Sequence, residues 1–342
     1  MDFLHLFSRD HLLQCLKLRE DETKLGEQFQ LLTQFNAAHL QQAKAQGCRF
    51  ALVGICEDIG PRANQGQGGA EDGFSAAISV FANLQANRFL TGHSCLLVGS
   101  IRPTAITPHH PSPQQLRQAV AELDQQVITV CQALFAAGLE PIVIGGGHNN
   151  AFGLITALHQ AKHRPAAVVN LDPHCDFRPL EGRHSGNGFS YCAQNGSLAY
   201  YHVLGLHEQK NSETSLAQLS QFGGRWHSFQ DIWTRRCQSL DSALEEISTA
   251  LNATQAPVGL ELDMDAIAEM PASAMTFAGV PLLDACRYVD YLSRHSDCAY
   301  LHLAEAAPAR HANLQSGRRI TGQALAELML AYLQGRLASQ TK

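Results

Sequence analysis

Eight short strand-like runs, most of them separated by amphipathic helices, constrain this chain more than any other feature of its sequence. The runs are 50–56, 95–101, 141–144, 168–171, 200–206, 225–229, 257–262 and 299–303. The first, Phe50 to Cys56, is apolar almost throughout, as a strand covered on both faces requires. Residues 22–46 place Leu25, Phe29, Leu32 and Phe35 at three- and four-residue steps, the spacing of a helix. Further helices are expected over 72–90, 114–138, up to about 163, and over 231–251, 282–295 and 321–337. This order calls for an α/β fold, a three-layer sandwich in which a doubly wound, mainly parallel sheet of eight strands carries helices on both faces. With no low-complexity linker or internal repeat, 1–342 reads as a single domain, and 1–48 as a helical extension packed on it.

Composition narrows the partners. A net charge of −6 with no run of Lys or Arg argues against nucleic acid and against anionic membrane surfaces, which leaves a small molecule. No stretch approaches the ~18 apolar residues of a membrane span, and the amino terminus lacks the basic-then-apolar pattern of a secretory signal. The ten cysteines are scattered without a Cys-x-x-Cys pair, which suits reduced thiols in a cytoplasmic protein. Homo-oligomer formation is left open. The Gly-rich stretch 60–70 lacks the Gly-Lys-Ser/Thr ending of a nucleotide loop. His109 and His110, flanked by prolines, read as solvated.

Chemistry concentrates where the strands end. The run Val168-Val169-Asn170-Leu171 stops in Asp172-Pro173-His174-Cys175-Asp176, and an extended backbone sends Asp172, His174 and Asp176 to one side. In open parallel sheets, ligands bind beyond the carboxyl ends of the strands. His148, Asp172, His174, Asp176, Asp263, Asp265 and Glu305 all follow strands at that edge. The Asp and His members would repel one another severely without cations, and two divalent ions offset the four aspartates. Oxygen-rich coordination with a little nitrogen suits Mn²⁺ better than Zn²⁺. Two such ions can share a water and lower its pKa, which implies hydrolysis.

These motifs resemble the arginase/agmatinase/formimidoylglutamase family, and a divergent formimidoylglutamase-like branch most of all. The likeness rests on Gly146-Gly147-His148, Asp172-Pro173-His174-Cys175-Asp176, Leu262-Asp263-Met264-Asp265, Glu305-Ala306-Ala307-Pro308 and the loop 64–70. It implies an arginase-like fold and two Mn²⁺ per chain. His148, Asp172, Asp176 and Asp263 would surround one ion and Asp172, His174, Asp263 and Asp265 the other, with Asp172 and Asp263 bridging. As implied catalytic residues, Asp176 accepts a hydrogen bond from the bridging hydroxide, and Glu305 pairs with the N–H groups of a cationic amidine, whose planar fork a carboxylate holds well.

Departures from the family pattern bear on the substrate. Arginases carry Ser-Gly-Asn-x-His, the histidine being a proposed proton shuttle, where this chain reads Ser185-Gly186-Asn187-Gly188-Phe189. Phenylalanine moves no protons, and formimidoylglutamases typically have it here. Arg178, Arg183, Ser185 and Asn187 are close enough in sequence to line one pocket wall for an acidic tail, since Arg grips carboxylates bidentately. Asn149, next to His148, joins them as a substrate-binding candidate. His184 is a possible substitute shuttle or a solvent-facing loop residue. Glu261 stands where a small polar residue is common; alternation puts it on the side of Asp263, as an outer carboxylate orienting a histidine or as half of a buried ion pair. The expected reaction is N-formimidoyl-L-glutamate plus water giving L-glutamate and formamide, a step of histidine degradation. The alternatives are a ureohydrolase acting on a guanidino acid such as guanidinobutyrate, and a non-catalytic, metal-stabilised member of the family.

Overall fold

A computed structural model describes residues 1–103 and 111–339; His109 and His110 lie outside the described residues. Its strands are β1 (Leu4–Leu6), β2 (Gln30–Leu31), β3 (Phe50–Ile55), β4 (Cys95–Ile101), β5 (Glu140–Ile144), β6 (Ala166–Leu171), β7 (Leu198–Leu206), β8 (Arg225–Ser228), β9 (Val258–Asp263) and β10 (Cys298–Ala304). They form one sheet in the order β1-β4-β3-β5-β10-β9-β6-β7-β8, with β2 also paired to β4. Only β1 runs antiparallel to its neighbour. All eight expected strands are present.

Alternation along the strands divides the interior into two cores. Phe50, Leu52, Ile142, Ile144, Leu260, Leu262, Leu301 and Leu303 face one core, which the helices Gly73–Phe81, Leu240–Thr254, Leu282–His295 and Leu314–Ala338 cover. Ala51, Val53, Ile55, Val143 and Val168 face the other, beneath Pro113–Ala136, Asn150–Lys162 and Gly188–Gln194. Each central strand therefore buries both faces, which explains its unbroken apolar run.

The amino-terminal segment departs from a helical extension. Residues 22–46 form one 3₁₀ turn (Leu25–Gln28), then β2, then the helix Ala37–Ala45. The backbone N–H of Leu25 donates to Leu84 at 2.8 Å and that of Gly26 to Ala82 at 2.9 Å. Those long-range bonds replace helical ones, and a helix begins only where Asn36 caps the N–H of His39 at 3.0 Å. β1 and β2 cover the outer edge of β4, so this segment completes the sheet instead of lying on it. Caps shift two other boundaries: Asn313 starts the last helix at Leu314, and Ser239 starts another at Leu240 after a π-helical turn over Gln230–Thr234. The helices Gly188–Gln194 and Glu213–Phe222 were not expected.

Candidate metal centre

Four strands adjacent in the sheet, β5, β10, β9 and β6, carry the candidate ligands. Their ends are level: Leu303 lies opposite both Ile144 and Leu262, and Leu262 opposite Leu171. Asp263 ends β9, Asp172 and Glu305 directly follow β6 and β10, and Asp265 sits in the turn Met264–Ala266. His148 needs a tighter device. Gly146 turns the chain with φ 72°, where a Cβ would lie 2.3 Å from Asn150 Nδ2 and 2.8 Å from Glu57 Oε1. Buried Glu57 accepts from Gly147 N and Asn150 Nδ2, both at 2.7 Å, and so holds the loop that presents His148. Asp176 (φ 44°) and Glu305 (φ 64°) adopt left-handed backbone conformations, strain that a surrounding structure must enforce.

The predicted ligands converge. His148 Nδ1 lies 3.1 Å from Asp263, 3.3 Å from Asp172 and 3.3 Å from Asp176. His174 Nδ1 lies 3.5 Å from Asp172 and 3.3 Å from Asp265. Two donor groups follow, His148/Asp172/Asp176/Asp263 and Asp172/His174/Asp265, and they share Asp172. Asp263 falls in the first group; its Oδ1 accepts from the Asp265 N–H at 2.8 Å.

Electrostatics argue for cations here. Burial, reinforced by Asp172, pushes the Asp176 carboxyl well up, and burial with Asp265 and Asp172 does the same to Asp263. Burial also opposes charge on Asp172, yet hydrogen bonds from His148 and His174 bring it down to about 2. Asp265 Oδ1 is buried without a hydrogen-bond partner. Such an oxygen is costly unless something cationic meets it. An oxygen-rich donor set with two imidazoles, crowded carboxylates and an orphan oxygen fits Mn²⁺.

Behind His148 lies a second layer. Glu261, fully buried, accepts from Tyr300 Oη at 2.6 Å, contacts His302 Nδ1 at 2.6 Å and reaches His148 Nε2 at 3.3 Å. A proton on Nε2, donated to Glu261, leaves the Nδ1 lone pair facing the aspartates. The geometry is compatible with either reading of Glu261, since it contacts the candidate ligand His148 and lies 2.6 Å from His302.

A cavity of about 560 Å³ opens onto these groups, lined by His174, Asp176, Asp263, Asp265 and Glu305 at its base and by Arg178 and Ser185 on one wall. Glu305 Oε1 accepts from the His148 N–H at 3.0 Å and Oε2 from the Ser273 hydroxyl at 2.7 Å, and burial pushes its carboxyl up to about 7. Arg178, 47% exposed, donates to Asn64 at 2.9 Å and to Glu181 at 3.2 Å.

Three of the expected substrate contacts lie elsewhere. Arg183, 6% exposed, donates to Asp124 at 2.8 Å, to the Asn149 carbonyl at 2.8 Å and to Asn187 at 2.7 Å, between the rings of Phe152 and Tyr191. Asn187 caps its own loop by accepting from the His184 N–H at 3.1 Å, and Asn149 donates to Glu57. All three are buried and absent from the cavity lining: Arg183 and Asn187 belong to the tight turn over 182–188 and bond inward, and Asn149 belongs to the loop after β5 that Glu57 holds. His184 is not solvated and is absent from the cavity lining: its Nδ1 accepts from Gly186, its Nε2 meets Glu181, and burial lowers its pKa to about 4. Phe189 is buried edge-on against His148, with ring centroids 5.4 Å apart.

Sequence reasoning missed Glu57, Asn170, Ser273 and Asn211. Asn170 donates to Asp172 Oδ2 at 2.9 Å, and an amide within an apolar strand was its available signal. Asn211 ties its own loop to the ligand turn, accepting from Cys175 N at 2.8 Å and donating to Pro173 O at 2.9 Å; nothing local marks it.

Comparison with known proteins converges on this geometry. The family model described as "Arginase family" matches residues 48–334. The formimidoylglutamase of Photorhabdus laumondii is 29% identical over 243 residues, spanning 68% of this chain and 70% of that protein. The crystal structure of formimidoylglutamase from Bacillus subtilis superposes with a TM-score of 0.77 at 18% identity, covering 94% of this chain and 95% of that one. A Trypanosoma cruzi formiminoglutamase solved with Mn²⁺ has a TM-score of 0.69 at 20% identity, covering 91% and 99%. A family match over most of the chain, on a sheet whose adjacent strand ends gather these aspartates and histidines, shows that this protein belongs to the arginase family.

Proposed function

We propose that the chain hydrolyses a linear amidine, N-formimidoyl-L-glutamate, to L-glutamate and formamide, with two Mn²⁺ held between the two donor groups. One observation carries this reading: both groups share Asp172 and open, beside Glu305, onto a single cavity. The formimidoylglutamase name of the relatives supports the choice of head group and tail.

His148, Asp172, Asp176 and Asp263 would hold one ion; Asp172, His174 and Asp265, with Asp263 as a second bridge, would hold the other. When bound, the pair offsets the aspartate charge and lowers the pKa of water for attack. The chain's own residues do the rest. Glu305 has both oxygens steadied, by the His148 N–H and the Ser273 hydroxyl, and each keeps a free lone pair for the amidine N–H fork. Asp176 accepts the proton of the attacking water. The water oxygen bonds to the amidine carbon, the bond from that carbon to the glutamate nitrogen breaks, and this nitrogen leaves as the amine with the proton that Asp176 took from the water. Arg178 and Ser185 face the tail, while Arg183, Asn187 and Asn149 act one step back by fixing the loop. With this substrate the proposed reaction would be a step of histidine breakdown, and a cytoplasmic location is part of the same proposal.

Mn²⁺-loaded protein offered N-formimidoyl-L-glutamate, arginine, agmatine and guanidinobutyrate should release formamide from the first and little urea from the others. Substantial urea with no formamide would overturn the assignment.

A further inference from the structure

We propose that Lys210 is the principal cation that selects an acidic tail in this cavity, a specificity role that rests on the amidine-hydrolase reading and is separable from it.

The cavity lining holds two permanent cations, Arg178 and Lys210. They differ in what they already hold. Arg178 is committed: Glu181 and Asn64 take its guanidinium, and Glu181 also draws Arg117 at 3.5 Å and the His184 ring at 3.2 Å. A substrate carboxylate reaching Arg178 must displace or share these partners. Lys210 has no ion pair or side-chain hydrogen bond among the described residues. The nearby acidic residue in its own loop, Glu208, is taken by Arg235.

The surroundings of Lys210 suit an anion. Its neighbours in the lining, Asn211, Ser212, Thr214 and Ser215, are neutral; Asn211 gives its amide N–H groups to Pro173 and His207, and the Ser212 and Ser215 hydroxyls bond each other at 2.9 Å. Of the lining carboxylates, Asp176, Asp263, Asp265 and Glu305 gather with the candidate ligands, and Glu181 is held by Arg178. The cavity is therefore polarised: carboxylates gather where a cationic amidine must sit, and Lys210, opposite to them in charge, stands among neutral side chains on its loop. Position is also enforced, because Asn211 bonds the Lys210 loop directly to the Pro173 and Cys175 backbone on either side of His174. A carboxylate held by Lys210 is thus indexed to the turn that carries the metal ligand, the condition for holding a reacting carbon in register. The ligand class is an amidine with at least one carboxylate in its tail, and a basic tail is repelled.

The test uses the Mn²⁺-loaded full chain as wild type, Lys210→Met, Lys210→Arg and Arg178→Met. Formimidoyl and guanidino amidines with acidic, neutral and basic tails are compared within each head group, so a wrong head group leaves the tail preference readable. The wild type should prefer the acidic tail. Lys210→Met should lose about 10- to 100-fold of that preference, through KM for acidic tails, with Lys210→Arg largely restoring it and Arg178→Met losing less. Calorimetric binding of glutarate gives an answer independent of turnover: Lys210→Met should weaken it by the same factor. Unchanged discrimination and glutarate affinity in Lys210→Met, or a wild type that prefers neutral or basic tails, would overturn the proposal, as would a wild type that binds no glutarate.

Discussion

The base of the cavity and its walls are built by different means. The base is a product of the sheet: Asp172, Asp263, Asp265 and Glu305 lie at or just past level ends of adjacent strands, and each is almost fully buried. The walls come from four segments, around 61–66, 178–185, 210–215 and 273–274, where exposed and buried side chains alternate irregularly. Sheet register leaves the base little freedom, whereas each loop residue turns in or out according to its own hydrogen bonds. This contrast explains how one reaction chemistry can be retained while tail recognition varies.

Three substitutions test that division. Asp172→Ala, which removes the residue common to both donor groups, should strip both ions and lower kcat by about three orders of magnitude or more; metal analysis that still finds two ions per chain would break the account of the base. Next in size is Arg183→Met in the wall. Leaving Asp124 buried without its partner should cost about 3–5 kcal/mol in denaturant unfolding, with KM little changed in the folded fraction, and adding Asp124→Leu should recover much of the loss. A large KM effect at intact stability would return Arg183 to the substrate. Smallest is Glu261→Gln, behind the base. It should weaken Mn²⁺ binding by about 10- to 100-fold, read by calorimetry or by the Mn²⁺ resonance signal, with circular dichroism unchanged; wild-type affinity would reduce Glu261 to a partner of His302 and Tyr300.

Much of this was legible before any coordinates. Central strands declare themselves because both faces are buried, so 50–56 and 299–303 are nearly continuous in apolar residues and stop abruptly in polar ones. Edge elements do not. β1 and β2 have three and two residues and owe their form to β4, and residues 25–26 give up helical bonding for partners near Ala82 and Leu84. The helix Glu213–Phe222 buries only Ser215 and Leu219, too sparse a stripe to announce itself. In the loops, spacing does not reveal direction: Arg178 lines the cavity while Arg183, five residues on, is buried against Asp124.

By itself the sequence determined a doubly wound sheet and the chemical character of its carboxyl edge, because burial on both faces and charge crowding at strand ends are local properties that composition and alternation record. Only the tertiary structure decided that β5, β10, β9 and β6 lie side by side, that Asp172 is shared, that Glu261 stands behind His148, and which cation of the cavity lining has no ion pair among the described residues. Those outcomes depend on pairing between segments over a hundred residues apart and on where each loop finds its hydrogen bonds, and no local pattern encodes either.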